Sequence, residues 1–321
     1  MSSIELSARS FLKVYLESIS WTILALAGFL GNILVLAALA RNPILRRYTP
    51  IYVNALAISD ILNFLTNGVF VGVTLVSGHW QFGQVGCSVC GFSVLFMTHV
   101  TVGTMYFTAI NRYARVTRPE LFKKIFTPRK SLTAMIIVWV FFALTPLPIA
   151  FEDGFAFNAN YAVCVPSSKH KVYTMASFGV FITLSLLTVF FSYCRVSRTI
   201  KRIQPRQAPK NEDGDGTQVG QGLQKGETIM VMRMREVNIT KIMYAIVLAF
   251  VMLWIPVLVL IITTRASLGR IPRDISLLVP YACNISSLIN PVLYTIMNRS
   301  FRKEFKTIML SLVYCKYCRC E

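Results

Sequence analysis

Seven long apolar runs dominate the chain, at residues 19–40, 50–76, 84–111, 131–150, 172–194, 242–264 and 274–297. Crossing the hydrocarbon core of a bilayer takes about 20 mostly apolar residues in helical form, and each run reaches that length. In lipid a segment must pair its own backbone groups, and a continuous apolar run does so as a helix. The expected fold class is therefore an all-α membrane protein. Charged residues make up only 15% of the 321, against about 25% in soluble domains. The first eighteen residues show no cleavage-site pattern, so the first run is expected to act as its own insertion signal.

The formal net charge of +19 would suit a nucleic-acid partner, but its placement argues against one. With the N-terminus outside, 26 of the 33 Lys and Arg fall on the inner side and 7 on the outer side. Positive charge stays inside, and anionic membrane lipids are its natural partner. This gives an outer N-terminus at 1–18, a bundle at 19–298, and an amphipathic helix with a cytosolic tail at 299–321. Within the bundle, 203–233 reads as a flexible cytosolic loop, built around "QPRQAPKNEDGDGTQVGQGLQKGE". No internal repeat is visible, which weakens a transporter made of duplicated halves.

Polar residues inside apolar helices are costly and mark function. The first run contains "GNILVL" with Asn32, and the second "NALAISD" with Asp60. The third ends in "INRY". The sixth has "FVMLWIP", and the seventh "NPVLY". This ordered set resembles the rhodopsin-like (class A) family of G protein-coupled receptors over about residues 28–312. Members similar to melatonin receptors and to opsins lacking the retinal lysine are nearest in character. The resemblance implies a seven-transmembrane helix bundle with a short amphipathic eighth helix in the plasma membrane. It also implies that an extracellular ligand is sensed and a heterotrimeric G protein is activated.

Asp60 is the sole acid in the apolar part of the runs. It has to be paired, hydrated, neutralised or metal-bound. The family places Asn32, Thr101, Ser286 and Asn290 around it and implies an allosteric sodium ion there, in keeping with a hard cation's preference for oxygen. A purely structural hydrogen-bond network is the alternative. Pro256 is expected to kink the sixth helix. Trp254 and Phe250 share one of its faces, and the family gives that face a role in sensing ligand. Asn290, Pro291 and Tyr294 look like the family's second movable joint. Tyr193 matches the family tyrosine of the fifth helix. Ser185, eight residues earlier, replaces a proline, so a straighter fifth helix is expected.

The triplet Asn111-Arg112-Tyr113 ends the third run. The resemblance sets Arg112 against Glu236 as a closed-state latch. The family usually has an acid where Asn111 stands. An asparagine cannot form an ion pair, so a freer Arg112 and higher basal activity are expected. The alternative is that Asn111 hydrogen-bonds the same guanidinium.

Cys87 and Cys164 both fall on the oxidising side, and the family implies a disulfide between them. Cys90, Cys194 and Cys283 read as small apolar fillers. Cys315, Cys318 and Cys320 follow a stretch with Phe301, Phe305, Ile308 and Leu312 on one face. Palmitate suits these cysteines better than metal. The resemblance places the ligand among Val94, Leu95, Thr98, Ser177, Phe178, Phe181, Trp254, Val257, Leu258, Ile261 and Asn284. Val94 offers no acid for an amine, and Asn284 cannot form the Schiff base of an opsin. A neutral or lipophilic small ligand is expected, with no covalent cofactor. His99 is expected to pack rather than ligate. No phosphate loop, nucleophile elbow or metal cluster is present, so no enzyme is expected. A transporter or channel, or a non-retinal opsin-like receptor with high basal activity, is the competing reading.

Overall fold

The computed structural model describes residues 6, 9–43, 45, 51–203, 241–242, 244–263 and 271–317. Glu236, Cys318, Cys320 and most of the 203–233 loop lie outside them. Seven helices are long and apolar enough to cross a membrane. They are α1 (Phe11–Arg41), α2 (Ile51–Ser77), α3 (Gly83–Thr117), α4 (Pro128–Phe151), α5 (Lys171–Ile203), α6 (Tyr244–Thr263) and α7 (Arg273–Met297). An eighth, α8 (Arg299–Tyr317), follows directly. Their outward faces carry exposed Ile23, Ile137, Phe190 and Val259, the surface a lipid solvent requires.

Helix α1 starts at Phe11, within the stretch expected as an outer N-terminus. Ser10 caps it, its side chain accepting from the Lys13 N–H at 3.4 Å. Side-chain oxygens at this position satisfy amide groups that have no partner inside the helix. The charges of Lys13 and Glu17 interrupt the apolar pattern without ending the helix.

Helix α2 contains one π-helical turn, Phe64–Gly68. Such a turn displaces carbonyls from their usual acceptor role and is frequent at functional sites. The Trp21 indole N–H of α1 donates to the Gly68 carbonyl at 2.9 Å. Gly78, at φ 75°, then ends α2 in the left-handed conformation, where a residue without Cβ is favoured.

Helix α3 runs through the middle of the bundle, in contact with α2, α4 and α5. Over its outer end lies an element outside the all-α expectation: the hairpin of β1 (Phe155–Asn158) and β2 (Val163–Pro166), with Phe157 opposite Cys164. Four-residue strands leave little periodic signal. The turn is set by Asn158, whose side-chain oxygen accepts from the Asn160 N–H at 3.0 Å. The expected Cys87–Cys164 disulfide ties β2 to α3 with 5.4 Å between Cα atoms.

Helix α5 continues without a break through Ser185. Helix α6 is likewise continuous through Pro256, which faces outward. Pro291 sits inside α7, buried against α1. A Cβ on Gly31 would lie 2.7 Å from the Pro291 ring, so the close α1–α7 approach depends on that glycine. In α8, Phe301, Phe305 and Ile308 are buried in the core, while Arg302, Lys303 and Lys306 are exposed. This is the amphipathic division read from the sequence. Phe301 stacks on Tyr294 with ring centres 5.1 Å apart.

A Cβ added at Gly91 would collide with the Phe155 ring, and that ring is fully buried. Gly91→Ala is expected to destabilise the hairpin's seat on α3 by about 1–3 kcal/mol, read as a lowered midpoint of thermal unfolding in detergent.

Candidate functional site

At mid-depth a buried carboxylate of α2 is held by two side chains of α7, with α1 joined to α7 beside it. Asp60 of α2 is 4% exposed. Its Oδ1 accepts from the Ser287 hydroxyl at 2.7 Å, and its Oδ2 from the Asn290 amide at 2.8 Å. The Asn32 amide of α1 donates to the Gly28 and Ser287 carbonyls at 2.9 and 3.1 Å. Asn32 Oδ1 and Asn290 Oδ1 are buried and accept no hydrogen bond among the described residues. The residues expected around Asp60 are thus brought together only in part. Ser286 turns away and donates to the Cys283 carbonyl of its own helix at 2.7 Å. Thr101 is half-buried and makes no bond to Asp60. Ser287 takes the place expected for Ser286. Three residues before Asn290, it shares that residue's helical face, and this spacing was the available signal.

At the inner end, Asn111 and Arg112 are buried and Tyr113 is half-buried. Arg112 is 1% exposed. Tyr52, Tyr244 and Tyr294, from α2, α6 and α7, are buried as well. Asn111 and Ser131 flank the Tyr52 hydroxyl. Tyr193 meets Tyr244 edge to face at 4.8 Å. Tyr52 and Tyr244 were not singled out by the sequence, since a tyrosine at a membrane interface is ordinary. Above them, Phe250 and Trp254 stack at 5.2 Å, both buried.

Toward the outer side a cavity of about 160 Å³ opens under the hairpin. Of the expected ligand residues, Val94, Leu95, Thr98, Trp254, Ile261 and Asn284 line it. Ser177, Phe181, Val257 and Leu258 do not. The Phe178 side chain lies outside the described residues. Phe181 packs instead on Phe142 at 4.6 Å and His99 at 5.8 Å, closing the α5 side with rings. His99 therefore takes part in packing, and its Nδ1 lies 2.7 Å from the Leu95 carbonyl. The cavity extends toward α1, α2 and α7, through Trp21, Asn63, Asn67, Val71, Val279 and Pro280. Sequence reasoning missed that wall because it carried the family's pocket over mainly from α3, α5 and α6.

Above the cavity an ion cluster joins the mouth of the bundle. Arg273 of α7 holds Glu17 of α1 by two bonds of 2.7 and 2.8 Å. Arg9 adds a third at 2.6 Å and donates to the Leu75 carbonyl of α2 at 2.7 Å. The Tyr281 hydroxyl donates to the Glu17 carbonyl at 2.8 Å, and its ring meets Trp21 edge to face at 5.3 Å. Glu152 outside α4 bonds Lys169 at 2.9 Å, which holds its carboxyl below the ordinary range.

This arrangement of a seven-helix bundle, a buried inner arginine and an outer cavity under a disulfide-tied hairpin defines a membrane receptor. The sequence matches the 7 transmembrane receptor (rhodopsin family) over residues 31–294. The chain belongs to that family and is a G protein-coupled signalling receptor, a multi-pass protein of the plasma membrane. It is 24% identical to the allatostatin-A receptor of Bombyx mori, over 89% of this chain and 77% of that one. It is 22% identical to the melatonin receptor type 1A of Mus musculus, over 89% and 78%. It is 24% identical to the G-protein coupled receptor 84 of Mus musculus, over 89% and 90%. A transporter or channel is not favoured, and members of this family are receptors rather than enzymes.

Glu17→Gln leaves Arg9 and Arg273 buried beside a neutral group. It is expected to cost about 3 kcal/mol, the range for breaking a buried pair on one side. The effect is read from thermal unfolding in nanodiscs, with Arg273→Gln expected to cost a similar amount.

Proposed function

We propose that this receptor takes a neutral or lipophilic small ligand from the extracellular side and passes its binding to Arg112 through α3. The observation that carries this reading is the position of the two sites on one helix. Val94, Leu95 and Thr98 line the cavity, and Arg112 lies fourteen residues further along, about 21 Å at 1.5 Å per residue. A rigid helix couples the two ends, and helices that exchange packing give the two states that signalling needs. The stacked Phe250–Trp254 pair and the Asn290, Pro291 and Tyr294 face are the movable contacts. Arg112, uncovered by that exchange of packing, then meets the G protein. Charge placement supports an outer N-terminus and a cytosolic C-terminus. The loop residues Arg115, Lys123 and Lys124 frame the inner site, and Cys315, Cys318 and Cys320 carry palmitate that holds α8 to the membrane.

A sodium ion fits the mid-depth site. Asp60 supplies the charge, and the buried Oδ1 atoms of Asn32 and Asn290 are acceptors with no donor among the described residues. When bound, the ion neutralises the Asp60 carboxylate and favours the resting packing.

Two expectations follow. Arg112→Ala abolishes basal G-protein activation at matched surface expression, and Asn111→Asp lowers it several-fold by adding an ion pair beside the arginine. Unchanged output in both removes the latch. Separately, Asp60→Asn removes the dependence of basal activation on sodium, measured by exchanging sodium for N-methylglucamine at constant ionic strength.

A further inference from the structure

Asn284, Asn63 and Thr98 line the cavity with hydrogen-bonding capacity left unused among the described residues, and the Trp254 indole N–H in the same wall is likewise unpaired there. Asn284 of α7 is 6% exposed and lines the cavity, yet its side-chain amide makes no hydrogen bond among the described residues. A buried amide left this way is costly unless an occupant satisfies it. Asn63 of α2 lines the same space. Its Oδ1 already accepts from the Asn67 amide at 2.9 Å, which leaves both of its N–H donors and one oxygen lone pair. The Thr98 hydroxyl is the third such group.

Asn67 fixes this polarity. Its own Oδ1 accepts from the Ser93 hydroxyl at 3.1 Å and from the Cys90 thiol at 3.8 Å. Its amide must therefore donate, and Asn63 must present nitrogen to the cavity. The π turn at Phe64–Gly68 sets the facing of Asn67. Asn67 is thus a positioning residue, and Asn63 and Asn284 are the readers.

The remaining wall is apolar, with Trp21, Val71, Val94, Leu95 and Val163 prominent. No Asp, Glu, Lys, Arg or His lines it among the described residues, so an ionised ligand would find no counter-charge. The volume is about 160 Å³, and a cavity of roughly 150 Å³ takes a benzene ring. Asn63 and Asn284 open onto one space of that size.

We infer that the ligand is recognised by a neutral carbonyl group, its oxygen bound by the Asn63 and Asn284 amides, on a body about the size of one ring. This rests on the reading of the cavity as the ligand site. A carboxamide is the best-matched form, because its N–H also satisfies the Asn284 oxygen.

Four probes of nearly equal shape test this: benzamide, benzoate, benzamidinium and isopropylbenzene. Each is added to the full-length receptor in nanodiscs, and thermal unfolding is followed by tryptophan fluorescence. Benzamide at tenfold over its Kd is expected to raise the midpoint by about 2–4 °C, with the other three giving less. Asn284→Leu is expected to weaken benzamide about tenfold and to strengthen isopropylbenzene, a gain that a misfolded variant would not show. Isopropylbenzene matching benzamide in the wild type overturns the inference, as does a variant with unaltered preference or an absence of any shift. The assay uses no G protein, so failure of signalling is read separately, from nucleotide exchange.

Discussion

A carboxylate inside a bilayer has to be satisfied by other side chains, and Asp60 draws α2 and α7 together to do so, with α1 bonded to α7 alongside. Its partners Ser287 and Asn290 lie on one face of α7, and Asn32 of α1 reaches the Ser287 carbonyl. In lipid there is little hydrophobic drive between helices, so hydrogen bonds and close packing decide which of them associate. The Gly31–Pro291 approach and the stacking of Tyr294 on Phe301 lie along the same seam. Two further polar contacts extend it outward, through Trp21 to Gly68 and Glu17 to Arg273. One side of the bundle is thereby stitched from mouth to inner end.

The other side is built differently. There α3, α4 and α5 meet through rings and aliphatic groups, with His99, Phe142 and Phe181 in mutual contact. Ring packing of this kind is dense and fills the space around Phe181, so the cavity reaches α5 only at Thr174 and Met175, above those rings. It extends instead toward α1, α2 and α7, where small and polar side chains leave space. Its position follows from which seam is polar and which is filled.

Much of this was legible in the sequence, for physical reasons. Apolar runs of spanning length mark the seven helices. Periodic Phe301, Phe305 and Ile308 define the buried face of α8. What stayed hidden depends on partners far away in the chain. Glu17 reads as the end of a polar tail until Arg9 and Arg273 are seen around it. Ser286 and Ser287 are adjacent and chemically identical, so only helical phase separates them. The hairpin strands are too short for alternation to register. The α5 residues expected in the pocket were displaced because Phe181 found ring partners.

The π turn in α2 carries a consequence for comparing this receptor with its relatives. A π turn adds one residue to a helix that would otherwise keep its phase, so every position beyond it is rotated by roughly 100°. Val71 and Leu75, beyond the turn, owe their inward facing to that one inserted position. A relative whose second helix lacks the insertion would present different neighbours at matching columns of an alignment. Correspondence along the outer half of α2 is therefore a matter of counting turns in space, and ligand contacts copied across by column alone would land on the lipid face.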